Sequence, residues 1–86
     1  ILTGAVRARG RKMSARDFRK HREDLLAIGL SGHGWARAAL EPGAPMLFFS
    51  LRGFTEDFLE AVSHEAEERP VYYRSLADLW PEAAGA

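Results

Sequence analysis

The sequence contains no cysteine, which excludes a disulfide framework and every zinc site built on thiolates. It carries no net charge, because twelve Lys and Arg balance twelve Asp and Glu. That balance rules out a histone-like tail held on a polyanion by bulk charge. The longest apolar runs, such as Met46–Phe49, have four residues, against about 18 for a helix that spans a bilayer. Internal repeats, low-complexity stretches and a targeting signal are also lacking, so the expected location is cytoplasmic, with no membrane partner. What remains is 86 residues, 47% hydrophobic and 28% charged. That composition describes one globular unit, residues 1–86, either a single domain or a domain fragment. A chain this short buries only about 60–65% of its unfolded surface, so its stability margin is thin. It opens at Ile1, without a methionine, directly on an apolar segment, and it reads as the back end of something longer.

The neutral total hides an asymmetry. Between Arg7 and Asp24 there are eight basic residues and three acidic ones, whereas Glu41 to Arg69 holds seven acids and two bases. A split of this kind points the first third toward a polyanion or an acidic partner. A solvated basic face matched by an acidic face elsewhere explains the same numbers.

The pattern predicts alternating strands and helices. Residues 1–8 read as a strand, with Ile1, Thr3 and Ala5 on one face and Leu2, Gly4 and Val6 on the other. Gly10 ends it. Ser14 is a good helix cap, and Asp17 stands three residues on in a capping-box position. Phe18, Leu25 and Ile28 then fall at helical spacing over 14–28. Gly29 is expected to close that helix in the left-handed conformation, with Leu30 folded back on Leu25. A shorter helix over Gly34–Leu40 puts Trp35, Ala36, Ala39 and Leu40 on one side, until Pro42, Gly43 and Pro45 stop it. Residues 45–50 are apolar on both faces, as in a strand buried between helix layers. Thr55 caps a helix over 55–67, where Glu56 and Asp57 complement the dipole and Phe54 is placed to staple onto Leu59. Its apolar stripe is Phe58, Leu59, Val62 and Ala66. Val71-Tyr72-Tyr73 lies in a last strand over 70–74, and Ser75–Trp80 makes a final helical turn. The order is β-α-α-β-α-β-α. It implies an α/β fold with a small, mainly parallel sheet of about three strands and helices on its faces. The strand at Ile1 forms an edge that wants a neighbour.

Two segments invite a functional reading. Ser50-Leu51-Arg52-Gly53 leaves a buried strand and enters a helix, the position where α/β folds place ligands. Ser50, Arg52 and Gly53 form a candidate anion site there, although Glu56 and Asp57 already supply negative charge to the same helix start. The second segment is the basic strand–turn–helix: Arg7, Arg9, Arg11, Lys12, Arg16, Arg19 and Lys20 are candidate contacts for nucleic-acid phosphates. No aromatics interleave with them, so duplex backbone suits them better than stacked single-stranded bases. His21, His33 and His64 have no metal-ligand spacing, and Ser31-Gly32-His33-Gly34 lacks the lysine and glycine spacing of a phosphate loop. Trp35, Trp80, Tyr72 and Tyr73 read as packing residues. No nucleophile–base pair is legible, and no metal ligand is assigned.

A strand ending near a basic residue, a Ser-capped helix and an apolar strand running into Ser50-Leu51-Arg52-Gly53-Phe54-Thr55 together resemble PD-(D/E)xK nuclease-like domains. The likeness is greatest to the C-terminal domains of archaeal-type P-loop ATPases, and remoter to Mrr-type restriction endonucleases. Gly4-Ala5-Val6-Arg7 takes the place of the family's Gly-Glu-x-Lys, and Val71-Tyr72-Tyr73 with Leu76-Ala77-Asp78-Leu79 matches the closing strand and helix. The resemblance implies the C-terminal part of a restriction-endonuclease-like fold. In the family, the Glu and an upstream Asp hold Mg²⁺ while the Lys stabilises developing charge. Here Ala5 cannot bind a metal, Arg7 keeps only the positive charge, and the Asp would lie before Ile1. Asp17, Glu23 or Asp24 would be the candidates for a migrated carboxylate.

The implied function is a degenerate, non-catalytic nuclease-like domain serving as the C-terminal accessory domain of a P-loop ATPase, whose ATPase domain lies upstream in the same chain. It would contact nucleic-acid backbone through the basic strand–turn–helix. No cofactor is expected in this chain; ATP and Mg²⁺ belong to a full-length ATPase, and Mg²⁺ alone to an active nuclease. The alternatives are a protein-interaction domain, using the bare sheet edge or the acidic Glu56–Glu68 helix, and, last, an active metal-dependent nuclease.

Overall fold

The computed structural model describes residues 2–8 and 10–79. The elements follow the expected order: β1 (Thr3–Arg7), α1 (Ala15–Leu30), α2 (Gly34–Leu40), β2 (Met46–Ser50), α3 (Glu56–Glu65), β3 (Val71–Ser75) and α4 (Leu76–Leu79). The three strands form one parallel sheet in the order β1-β2-β3. The fold class is therefore a small α/β unit with a three-stranded parallel sheet. Ile1 and Trp80, expected in the first strand and the last turn, lie outside the described residues, as does Arg9.

Strand order decides where the helices go. Parallel crossovers are right-handed, and β1 to β2 to β3 advances in one direction without reversal. Both crossovers therefore place their helices on the same side of the sheet. Phe48, fully buried in the middle of β2, is the centre of that side. Its ring lies 5.2 Å from that of Phe18 on α1 and 5.5 Å from that of Phe58 on α3. Met13, Met46, Leu25, Val62 and the α2 residues Ala36 and Ala39 complete one core.

Met46–Phe49 is thus not sandwiched between helix layers. Burial alternates along β2, with Met46, Phe48 and Ser50 inside and Leu47 41% exposed. A run of four apolar residues carries no phase, so the run alone did not mark which face is covered. Gly4 on β1 faces away from the helices. A Cβ at this position would run into the Leu47 carbonyl oxygen, so only glycine lets β1 pair so closely with β2.

Helix α1 runs two residues past its expected end. Gly29 is helical and buried, and Leu30 is exposed. The left-handed residue is Gly32 (φ +99°). The His33 N–H donates to the Ile28 carbonyl at 3.4 Å and the Gly32 N–H to the Gly29 carbonyl at 3.1 Å, which is a Schellman closure. Gly29 serves α2 instead: its carbonyl accepts from Arg37 Nε at 2.9 Å, and a Cβ there would press on Arg37 Cγ at 3.0 Å. Phe54 stacks on Phe58, with centroids 4.5 Å apart, rather than on Leu59, which is exposed. Trp35 and Tyr72, read as packing residues, are about half exposed, whereas Tyr73 packs edge-on against Phe54 and Phe58.

The sequence reading missed a buried ion pair. Arg69 and Glu65 lie inside, with Arg69 Nε 2.7 Å from Glu65 Oε2. Arg69 also donates to the carbonyls of Ala39 (3.0 Å) and Leu40 (2.8 Å) at the end of α2. Glu65 Oε1 meets Arg22 of α1 at 3.0 Å. One guanidinium thereby fastens α2 to α3, and one carboxylate fastens α3 to α1.

Candidate nucleic-acid interface

The turn between β1 and α1 is anchored to the turn between β2 and α3. Met13 forms a parallel bridge with Phe54: its N–H donates to the Gly53 carbonyl, and its own carbonyl accepts from the Thr55 N–H, each at 3.0 Å. This brings the N-termini of α1 and α3 side by side at the carboxyl end of the sheet. Two helix dipoles thus converge their positive ends on one small area.

Each end holds a carboxylate. At α1, Asp17 accepts from the Ser14 N–H at 2.8 Å, as the capping box predicts. Arg11 grips the same carboxylate with two donors at 2.8 and 3.2 Å, and Arg7 stands 3.8 Å away. The Arg11 guanidinium, aided by the Ser14 N–H and opposed by partial burial, lowers the Asp17 carboxyl to about 2. At α3, the Thr55 hydroxyl bonds Asp57 and caps the Phe58 N–H. Asp57 also accepts from the Ala15 N–H of α1 at 3.3 Å. The Thr55 hydroxyl, then the Ala15 N–H, hold the Asp57 carboxyl below its ordinary value.

These pairings sort the candidate cations. Arg7 and Arg11 share Asp17, and Lys20 meets Asp24 at 3.5 Å. Lys12, Arg16 and Arg19 form no salt bridge among the described residues, and all three are exposed. Arg11, Lys12, Ser14, Arg16 and Thr55 line an open hollow of about 490 Å³ between the two helix starts. Charge counting predicted the stretch but not this division, which follows from Asp17 folding back beneath Arg7 and Arg11.

Ser50, Arg52 and Gly53 do not assemble into one surface. Ser50 is fully buried and its hydroxyl finds no partner among the described residues, whereas Arg52 is exposed. Gly53 (φ +93°) turns the chain and donates to the Ser50 carbonyl at 3.2 Å.

Beside β1 runs a second groove, of about 330 Å³, whose wall includes Ala5, Arg7, Asp17, Lys20, His21 and Asp24. Ala5 and Arg7 both face the helix side, in register with Phe48 and Ser50. This is where a nuclease-like domain would hold Mg²⁺, and the residues present do not fit one. Ala5 offers a methyl group, Asp17 is committed to Arg11 and Ser14, and Asp24 is paired with Lys20. Glu23 is exposed on α1 and is not part of this wall. His21 Nε2 lies 3.1 Å from Thr3 Oγ1 with its ring edge on Phe48, and burial pushes its pKa down.

The depressed Asp17 carboxyl makes a pH prediction. Its folded value, about 2, lies below the ordinary 3.8, so ionised Asp17 stabilises the fold fully above about pH 4, and that contribution disappears as pH falls towards 2. Asp17→Asn is expected to flatten the acid limb of the stability curve between those values. Urea unfolding at a series of acid pH values, compared with the parent, checks it.

Comparison with family models, with curated proteins and with solved structures finds no match to this chain.

Proposed function

We propose that this chain is a non-catalytic, nuclease-like accessory domain that grips nucleic-acid backbone at the paired N-termini of α1 and α3. The observation that carries the reading is the hollow where Lys12 and Arg16, without salt-bridge partners among the described residues, meet two helix N-termini. Basic side chains favour phosphate oxygens, whereas the Ser14 and Ala15 N–H groups already donate to Asp17 and Asp57, so the side chains carry the contact. Arg19 extends the stripe one helical turn beyond Arg16, along the same exposed side of α1. Arg7 and Arg11 hold the turn in shape through Asp17 and add positive field, with Arg11 donating twice to Asp17 and Arg7 donating to the Arg11 carbonyl.

The non-catalytic part rests on Ala5. A methyl group stands where the resembled family has a metal-binding Glu, and the neighbouring carboxylates are tied to cations. In the same reading the domain serves a P-loop ATPase, to which the resemblance of its motifs points. Phosphate contact of this kind recognises duplex shape and charge, not base sequence.

The triple variant Lys12→Ala, Arg16→Ala, Arg19→Ala is expected to bind a labelled duplex at least tenfold more weakly at low salt. Arg52→Ala, on the other turn, leaves affinity unchanged. Fluorescence anisotropy measures both. Equal loss in the two variants would refute the assigned surface. Plasmid incubated with the chain and Mg²⁺ or Mn²⁺ is expected to stay intact, and EDTA-sensitive cutting would overturn the non-catalytic reading.

A further inference from the structure

Asp57 belongs to α3, yet it also serves α1. Its Oδ1 accepts from the Ala15 N–H at 3.3 Å, across 42 residues of sequence. Ala15 opens α1, so no carbonyl of its own helix can take that N–H, and the residue is buried. The Thr55 hydroxyl holds the same carboxylate oxygen. The Met13–Phe54 bridge fixes the chain two residues earlier, next to Lys12. Arg16 follows Ala15 directly, is exposed and forms no salt bridge among the described residues. Its place at the hollow is set by the first turn of α1, which Asp57 secures. We propose that Asp57 is a positioning residue of the phosphate-binding surface, holding the start of α1 so that Arg16 stands in the hollow between the two helices. This inference rests on the nucleic-acid reading.

Charge and geometry act in opposite directions at this residue, which makes its role separable. As a carboxylate, Asp57 is exposed beside the open cations and repels a phosphate over a range of about 10 Å at 0.1 M salt. As an acceptor, it supports the side chain that meets the phosphate. Asparagine keeps a side-chain oxygen for the Ala15 N–H and drops the charge, whereas alanine drops both. The two variants carry the same net charge and the same loss at the α3 dipole. Any difference between them therefore reports the bracket, not the field. Glu56 supplies the contrast. It is an exposed carboxylate in the same first turn of α3, but the bond to α1 is made by Asp57.

The test is the affinity of the whole chain for a labelled duplex, read by anisotropy at a temperature where circular dichroism shows every variant folded. Asp57→Asn is expected to bind at least as tightly as the parent. Asp57→Ala should bind about fivefold more weakly than Asp57→Asn, the net worth of one hydrogen bond. Its salt dependence should also shift toward that of Arg16→Ala, as expected when a phosphate contact weakens. With Arg16→Ala in place, the asparagine and alanine variants should bind alike, whereas a general loosening of the fold would weaken both backgrounds equally. Glu56→Gln and Glu56→Ala should be indistinguishable throughout. Equal binding of Asp57→Asn and Asp57→Ala, while the triple variant of Lys12, Arg16 and Arg19 still loses affinity, would overturn this inference alone. A gap that persists without Arg16 would overturn it too. A parent chain without duplex affinity, or a triple variant that binds like the parent, would remove the nucleic-acid reading and the positioning role with it.

Discussion

Replacing Arg69 with methionine is expected to destabilise the domain by about 3–5 kcal/mol, the range for breaking a buried ion pair from one side. The side chain is almost wholly enclosed and satisfies the Ala39 and Leu40 carbonyls as well as Glu65. Methionine fills much of the volume but donates nothing. Two carbonyls at the end of α2 lose their donor, and Glu65 keeps only the half-exposed Arg22. Small domains have about 5–15 kcal/mol in hand, and this one stands at the lower end by size. A loss of this order lowers Tm by roughly 12–40 °C or leaves much of the population unfolded. Arg74→Met, on the open face, supplies the control and should change stability by less than about 0.5 kcal/mol. Equal and small effects at the two arginines would mean that the Glu65–Arg69 pair does not hold α2 in place.

Phe48→Ala should cost a similar amount, about 3–5 kcal/mol, through lost burial and the cavity left among Phe18, Phe58 and His21. All three rings lie within 5.5 Å of its centroid. The informative comparison is Phe49→Ala, the next residue along the same strand. Phe49 points to the uncovered face and is only partly buried, so its loss should cost less than half as much. Urea unfolding of the two variants therefore reads out the one-sided core. Similar costs at both positions would mean that the far face of the sheet is covered in solution.

What could be read from the chain was whatever local chemistry determines. Ser14 with Asp17, and Thr55 with Asp57, announce helix starts within three residues, and both caps are present. The strand–helix order followed from the same local patterns. Choices between two local solutions were lost. Gly29 and Gly32 both suit a helix end, and the close approach of α2 at Arg37 selects the later one. The face of β2 that meets the helices depends on strand order, which four consecutive apolar residues do not encode. Glu65 and Arg69 sit in a run that reads as a solvated acidic face. Their burial comes from α2 folding back over them, a contact thirty residues away in sequence. The basic stretch was legible as charge. Its division into cations engaged with Asp17 and cations left open needed the turn geometry at Met13.

In the proposed function, Lys12, Arg16 and Arg19 meet phosphates. The most direct measurement is the affinity for a short duplex of mixed sequence as salt rises from about 50 to 200 mM. Three phosphate contacts predict a slope of log K on log salt near −2.7, at about −0.9 per phosphate. That slope should fall toward zero in the triple alanine variant. A salt-independent affinity, or a slope that survives removal of all three side chains, would contradict the account.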